Sequence, residues 1–270
     1  MSLINRLASL SGALLLFGVS TMLSAAEEKT SWRDAPWKFS AKGYAWLPEA
    51  PATVKVDQQE VANLPESLDN ILGSLEMGAM FELEARKGPL LLFVSPIYYK
   101  GEGSEHFTGP GGQRRKITLK EKAWIVDYGV GYELGPWDLG AATVSVTPYV
   151  GGFYFHDPLE IDVDPAPPLD LGLEIDKTIE FNTPIAGLLT RWRFNDRWSL
   201  RVSGHYGVFN SSKVNEAWRA TGLLEYHFKI KSIDSQAFAG YQYLHLDYED
   251  GPLEIDVDVK GPMLGFGVDF

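Results

Sequence analysis

The chain of 270 residues contains no cysteine. That excludes disulfide staples, thiol catalysis and thiolate metal sites. An excess of basic residues is missing too: 24 Lys and Arg stand against 36 Asp and Glu, a formal charge of −12. Nucleic acid is therefore not expected as a partner, since phosphate binding needs a basic face. There is no glycine-rich phosphate loop and no low-complexity tract. Beyond residue 26 no apolar run approaches the ~20 residues of a membrane-spanning helix. Any membrane embedding downstream must be by strands.

The first 26 residues read as a secretory leader. Arg6 is their only charge, Leu7 to Leu23 form an apolar middle, and Ser24-Ala25-Ala26 supplies small residues for cleavage. Cleavage is expected after Ala26. Residues 27–36 then form a short periplasmic segment, and residues 37–270 a single domain.

Ten alternating segments follow: 37–47, 77–86, 90–100, 117–134, 141–155, 178–194, 198–209, 218–230, 237–248 and 257–270. The connections at 87–89, 135–140, 195–197 and 231–236 are tight turns. Those at 48–76, 101–116, 156–177 and 249–256 are long, and 210–217 is intermediate. Short turns at one end and long loops at the other predict an all-β, up-and-down antiparallel transmembrane barrel of about ten strands (8–12), with its turns in the periplasm.

Period two assigns the faces. At the carboxyl terminus Pro262, Leu264, Phe266, Val268 and Phe270 point one way, opposite Met263, Gly265, Gly267 and Asp269. Phe266, Val268 and the terminal Phe270 are the expected membrane-insertion signal. Trp198, Leu200, Val202 and Tyr206 alternate with Ser199, Arg201, Ser203 and His205. Trp218, Leu224, Tyr226 and Phe228 alternate with Arg219, Glu225, His227 and Lys229. Aromatics near strand ends suit interfacial girdles. In 178–194, Arg191 and Arg193 share a face with Ile185 and Leu189, which predicts a bulge near Gly187.

The inward face gathers a charge cluster: Glu82, Glu84, Arg86, Asp127, Arg201, His205, Arg219, Glu225 and His227, with Lys38, Lys42, Glu133, Lys229 and Asp269 beside it. In a narrow barrel such side chains meet across the lumen. Pairing the seventh and eighth segments about Lys213 sets Arg201 opposite Glu225, an expected ion pair. The cluster reads as a salt-bridged plug or as a narrow selective pore. Ser203 and His205, with Glu216 nearby, are the residue types of an acyl-transfer set. They point into the lumen, away from lipid, and no oxyanion donors are identifiable. No catalytic residue, metal site or cofactor is assigned.

Two further features are less specific. Pro-Leu-Glu-Ile-Asp-Val-Asp occurs at 158–164 and again at 252–258. It reads as two similar loop-to-strand edges, or as an acidic site for a hard cation. Leu64 to Gly73 suits a short helix with an apolar face, either a lid on the barrel mouth or a contact with lipid or a partner.

Several stretches resemble a family of Gram-negative outer-membrane β-barrel proteins, mostly of unassigned function. They are Gly43 to Pro48, Leu68 to Leu72 running on to Glu84 to Gly88, Pro184 to Gly187, Arg197 to Leu200, and Gly240 to Leu244 through Asp247 to Gly251 to Gly261-Pro262. The chain departs from the family pattern at Thr183-Pro184 and at Gly207 to Asn210. The resemblance implies the fold and the outer membrane, and it supplies no catalytic residue.

The resulting expectation is a non-enzymatic, porin-like or structural surface barrel. Its expected partners are outer-membrane lipid, lipopolysaccharide and the barrel-assembly machinery. The rivals are a soluble periplasmic barrel binding an apolar ligand and an outer-membrane lipid hydrolase using Ser203 and His205. A ligand barrel would be apolar inside and polar outside, the reverse of the alternation at 198–230.

Overall fold

The computed structural model describes residues 35–49, 52–56, 59–64, 75–108, 114–163, 173–207, 213–251 and 253–270. The leader, most of the 27–36 segment and the predicted helix after Leu64 lie outside the described residues. Among the described residues thirteen strands run β1 (Lys38–Trp46), β2 (Ala52–Val56), β3 (Gln59–Leu64), β4 (Leu75–Lys87), β5 (Leu90–Thr108), β6 (Arg114–Tyr132), β7 (Leu134–Asp138), β8 (Thr143–Val163), β9 (Leu173–Arg193), β10 (Trp198–Gly207), β11 (Val214–Ile230), β12 (Ile233–Asp250) and β13 (Leu253–Asp269).

Ten of them close a ring in the order β1-β4-β5-β6-β8-β9-β10-β11-β12-β13, with β13 antiparallel to β1. Closure removes every strand edge within the ring. The short β7 caps the turn-side end of β8. β2 and β3 lie within the long 48–76 connection. They form a hairpin because β1 stops at Trp46, opposite Met263, while β13 continues outward to Leu253. β2 pairs with Leu253–Val257 and covers that edge.

Several strands run past their sequence-read ends: β5 and β6 pair out to Thr108 and Arg114, and β8 and β9 out to Val163 and Leu173. Prolines interrupt two ladders, and the preceding side chain fills in. Pro96 has no N–H for the Phe81 carbonyl, and Ser95 Oγ donates to it at 3.3 Å. Near Pro158, the Asp157 carboxylate accepts the Lys122 N–H at 3.2 Å.

The outside is apolar between two aromatic girdles. Tyr98 packs on Trp124 at 4.7 Å, and Trp218 stacks on Tyr243 at 4.7 Å, towards the long-loop end. Trp198 packs on Tyr226 at 4.9 Å, and Phe39 stacks on Phe270 at 5.9 Å, at the turn end. From Trp124 to Tyr132 is eight residue steps, roughly 27 Å of strand. Tilted by about 40°, that covers ~20 Å, most of the ~25 Å apolar band of membrane barrels. Leu83, Leu92, Val130, Val150, Leu188, Val202, Leu224, Leu264 and Phe266 face outward within it.

The bulge expected near Gly187 is absent. β9 keeps an unbroken register against both β8 and β10. Arg191 shares an inward face with Leu189 and Ile185 because the lumen itself is layered, charged towards the turns and apolar above. Gly187 serves a close approach instead. A Cβ there would lie 2.3 Å from the Tyr149 ring and 2.5 Å from the Gly204 carbonyl oxygen. Gly187→Val should lower stability by about 1–3 kcal/mol in urea unfolding. An unchanged midpoint would contradict that packing.

Candidate functional site

The inward faces build two layers. Towards the long loops, Phe153, Phe181, Ile179, Ile185, Val214, Ala217, Leu244, Leu246 and Tyr248 form one buried apolar cluster. Phe181 stacks on Tyr248 at 5.8 Å and links the β9 and β12 walls. On the inward faces Glu82, Glu84, Arg86, Asp127, Arg201, Arg219 and Glu225 meet in ion pairs, with His205 beside Asp127 and His227 beside Glu225.

Arg201 on β10 reaches Glu82 on β4 at 2.5 Å and Glu84 at 3.0 Å. β4 and β10 are five strands apart in the ring of ten, so this contact joins opposite walls. Lys42 donates to Glu82 at 2.8 Å and lies 3.8 Å from Glu84 and 3.7 Å from Glu225. Arg86 holds Glu84 at 3.0 Å and Glu133 at 3.1 Å. Higher up, Arg219 on β11 pairs with Asp127 on β6.

The expected Arg201–Glu225 pair is not formed. The observed register sets Arg201 against Leu223 and Glu225 against Ser199, two positions from the sequence estimate. The 208–212 connection lies outside the described residues, so the turn that shifts the register is not described. Glu225 instead accepts from Ser199 Oγ at 2.9 Å.

Ser203 and His205 do not form a nucleophile–base pair. His205 Nδ1 lies 3.3 Å from the Tyr149 hydroxyl, and its Nε2 lies 4.0 Å from Asp127. A closer serine–histidine contact, which sequence reasoning did not single out, joins Ser199 Oγ to His227 Nε2 at 2.7 Å. The Ser199 hydroxyl gives its single proton to Glu225, so His227 donates to that oxygen, the reverse of a general base. Ser199 is 0% exposed, which leaves a substrate no approach.

Within the lumen lies a cavity of about 70 Å³. That is room for about five water molecules. Arg219, Asp127, Gln242 and Tyr149 line it with polar groups, and Leu189 and Phe238 with apolar ones. Arg219 Nε and Nη2, Asp127 Oδ1 and Gln242 Nε2 have no hydrogen-bond partner among the described residues. Arg191, Tyr149 and Gln242 are among the lumen residues missed from sequence. Arg191 was hidden by its apolar neighbours, and Tyr149 by a strand with aromatics on both faces.

The terminal strand faces as predicted. Phe266 and Phe270 point outward, and Phe270 exchanges backbone hydrogen bonds with Phe39 at 2.8 and 2.9 Å.

No family model matches the chain, and no curated protein matches it. Among solved structures it is similar to the outer membrane protease OmpT from Escherichia coli, with 6% identity and a TM-score of 0.47 over 87% of this chain and 97% of that one. It is also similar to Ail, the attachment invasion locus protein of Yersinia pestis, at 15% identity and TM-score 0.34 over 87% and 99%. A third is the outer membrane protein OprG from Pseudomonas aeruginosa, at 12% identity and TM-score 0.29 over 88% and 97%. The ten antiparallel strands closed by β1 and β13, apolar outside and charged within, make this chain a β-barrel of the transmembrane type.

Proposed function

We propose that the chain is an integral outer-membrane protein of a Gram-negative bacterium, a small structural or porin-like surface barrel whose lumen is filled by its own side chains. The contact of Arg201 with Glu82 and Glu84 across the full width of the ring carries this reading. A guanidinium held between opposite walls narrows any polar path at that level and supports an occluded lumen. The apolar layer around Phe153 and Tyr248 lies above it. Export would follow the leader at 1–26, and assembly would use the terminal aromatic strand through the barrel-assembly machinery. The outward apolar band disfavours a soluble ligand barrel. The engagement of His205 with Tyr149 and the burial of Ser199 disfavour a lipid hydrolase.

The refolded mature protein should run at a different apparent mass before and after boiling, and should stay with vesicles after alkaline carbonate washing. Release by carbonate with no mobility shift would sink the membrane reading. Ser203→Ala and His205→Ala should leave any lipid-hydrolase background unchanged, and loss of such activity would reinstate the enzyme.

A further inference from the structure

The cavity in the lumen is lined by buried donors that no described residue satisfies. Arg219 is 6% exposed and Gln242 3%, and both line it. Asp127 accepts from Nη1 of the Arg219 guanidinium only. Nε and Nη2, which lie along another edge of that planar group, have no acceptor. The Thr221 hydroxyl donates to Gln242 Oε1 at 3.1 Å, and Gln242 Nε2 has no partner. Buried N–H groups are costly to leave unpaired, so the cavity suits an occupant that accepts hydrogen bonds. Asp127 Oδ1 has no donor, with His205 Nε2 4.0 Å away. The same occupant can therefore also donate.

Charge narrows the class of that occupant. Lys42, Arg201 and Arg219 line the cavity against Glu82, Glu84 and Asp127, with His205 held to Tyr149. The three cations already meet the three carboxylates in ion pairs. An entering ion would lose its water and find no free counter-charge, and an uncharged molecule avoids that cost. The rest of the wall includes Leu189, Leu223, Phe238 and Met263, which water alone would leave without an apolar partner. A primary amide fits both sides: a carbonyl with two lone pairs, two N–H donors and an apolar tail. Room for about five water molecules admits about five non-hydrogen atoms.

Building on the occluded lumen proposed above, we infer that this cavity is a binding site for a small uncharged amide. Its carbonyl oxygen accepts from Arg219 and Gln242. Its N–H donates to Asp127 Oδ1, and its short alkyl group lies against Leu223 and Phe238. The Arg201–Glu82 and Arg219–Asp127 pairs border the cavity, so exchange requires one of them to part.

The test uses the full mature chain refolded in dodecylmaltoside micelles, with nitrogen-labelled arginine side chains read by NMR. Arg219→Lys assigns the Arg219 Nε–H resonance by its disappearance, and heat-modifiable mobility shows each sample folded. Propionamide should move that resonance saturably, and sodium propionate at the same concentration should not. Loss of one hydrogen bond weakens binding about fivefold, so Gln242→Leu should raise the dissociation constant by about that factor. Gln236→Leu, at a buried glutamine away from the cavity, should leave it unchanged. A folded wild type that does not respond to propionamide would overturn the site and leave water as the occupant, with the occluded barrel standing. A response to propionate instead would overturn the uncharged class. Equal affinity in wild type and Gln242→Leu would overturn the assigned contacts. Discrete conductance from the folded wild type would overturn the closed lumen on which the site rests.

Discussion

Arg201→Met should lower the unfolding free energy by about 3–5 kcal/mol, because it removes the cation shared by the buried Glu84 and the half-buried Glu82 and leaves their charge undercompensated. Arg201 is 8% exposed and lies between Glu82 and Glu84, with Lys42, Arg86 and Arg191 as the other cations nearby. A buried ion pair adds little net stability over an apolar replacement, but removing one partner leaves an uncompensated charge. The expected signature is therefore asymmetric. Neutralising both acids along with the cation, in Arg201→Met with Glu82→Gln and Glu84→Gln, should recover part of the loss. Urea unfolding in lipid vesicles reads both variants. A loss below about 1 kcal/mol for Arg201→Met, the range of an exposed pair, would mean that the guanidinium is not held between the walls.

Val150→Arg separates the membrane reading from the soluble one. Val150 is 57% exposed at the centre of the outward face of β8. In water, a charged residue at so exposed a strand position changes stability by within about 0.5 kcal/mol. On a lipid-facing strand near the bilayer midplane, arginine costs about 2–4 kcal/mol. The same substitution at Lys122, Lys122→Arg, lies above the girdle and should be nearly neutral. A Val150→Arg protein that unfolds at the wild-type urea midpoint in vesicles would place that face in water.

Much of the barrel is legible in the chain because its period is two and its faces differ in chemistry. Pro262 to Phe270, Trp198 to Tyr206 and Trp218 to Phe228 carry the signal plainly, with lipid-facing residues on one side and charges on the other. The exceptions have physical causes. β9 reads poorly because its inward face passes from apolar Ile185 and Leu189 to Arg191 within one strand, following the layering of the lumen. The β2–β3 hairpin is hidden because its need arises only when β1 ends before β13 does. The outer halves of β8 and β13 carry acidic repeats and prolines, which resemble loop composition although their backbones pair. For the site, membership of the lumen cluster follows from alternation alone. Its partners do not, since Arg201 meets Glu82 across the ring, and a two-position change in hairpin register moves Glu225 from Arg201 to Ser199.

The most direct measurement is single-channel conductance of the refolded mature protein in a planar bilayer, on a sample whose heat-modifiable mobility shows it folded. An occluded lumen predicts no discrete current steps above the bilayer leak in the wild type, and steps that appear once Arg201, Glu82 and Glu84 are together replaced by alanine. Regular ion-conducting steps from the folded wild type would contradict the occluded barrel and make it an open channel.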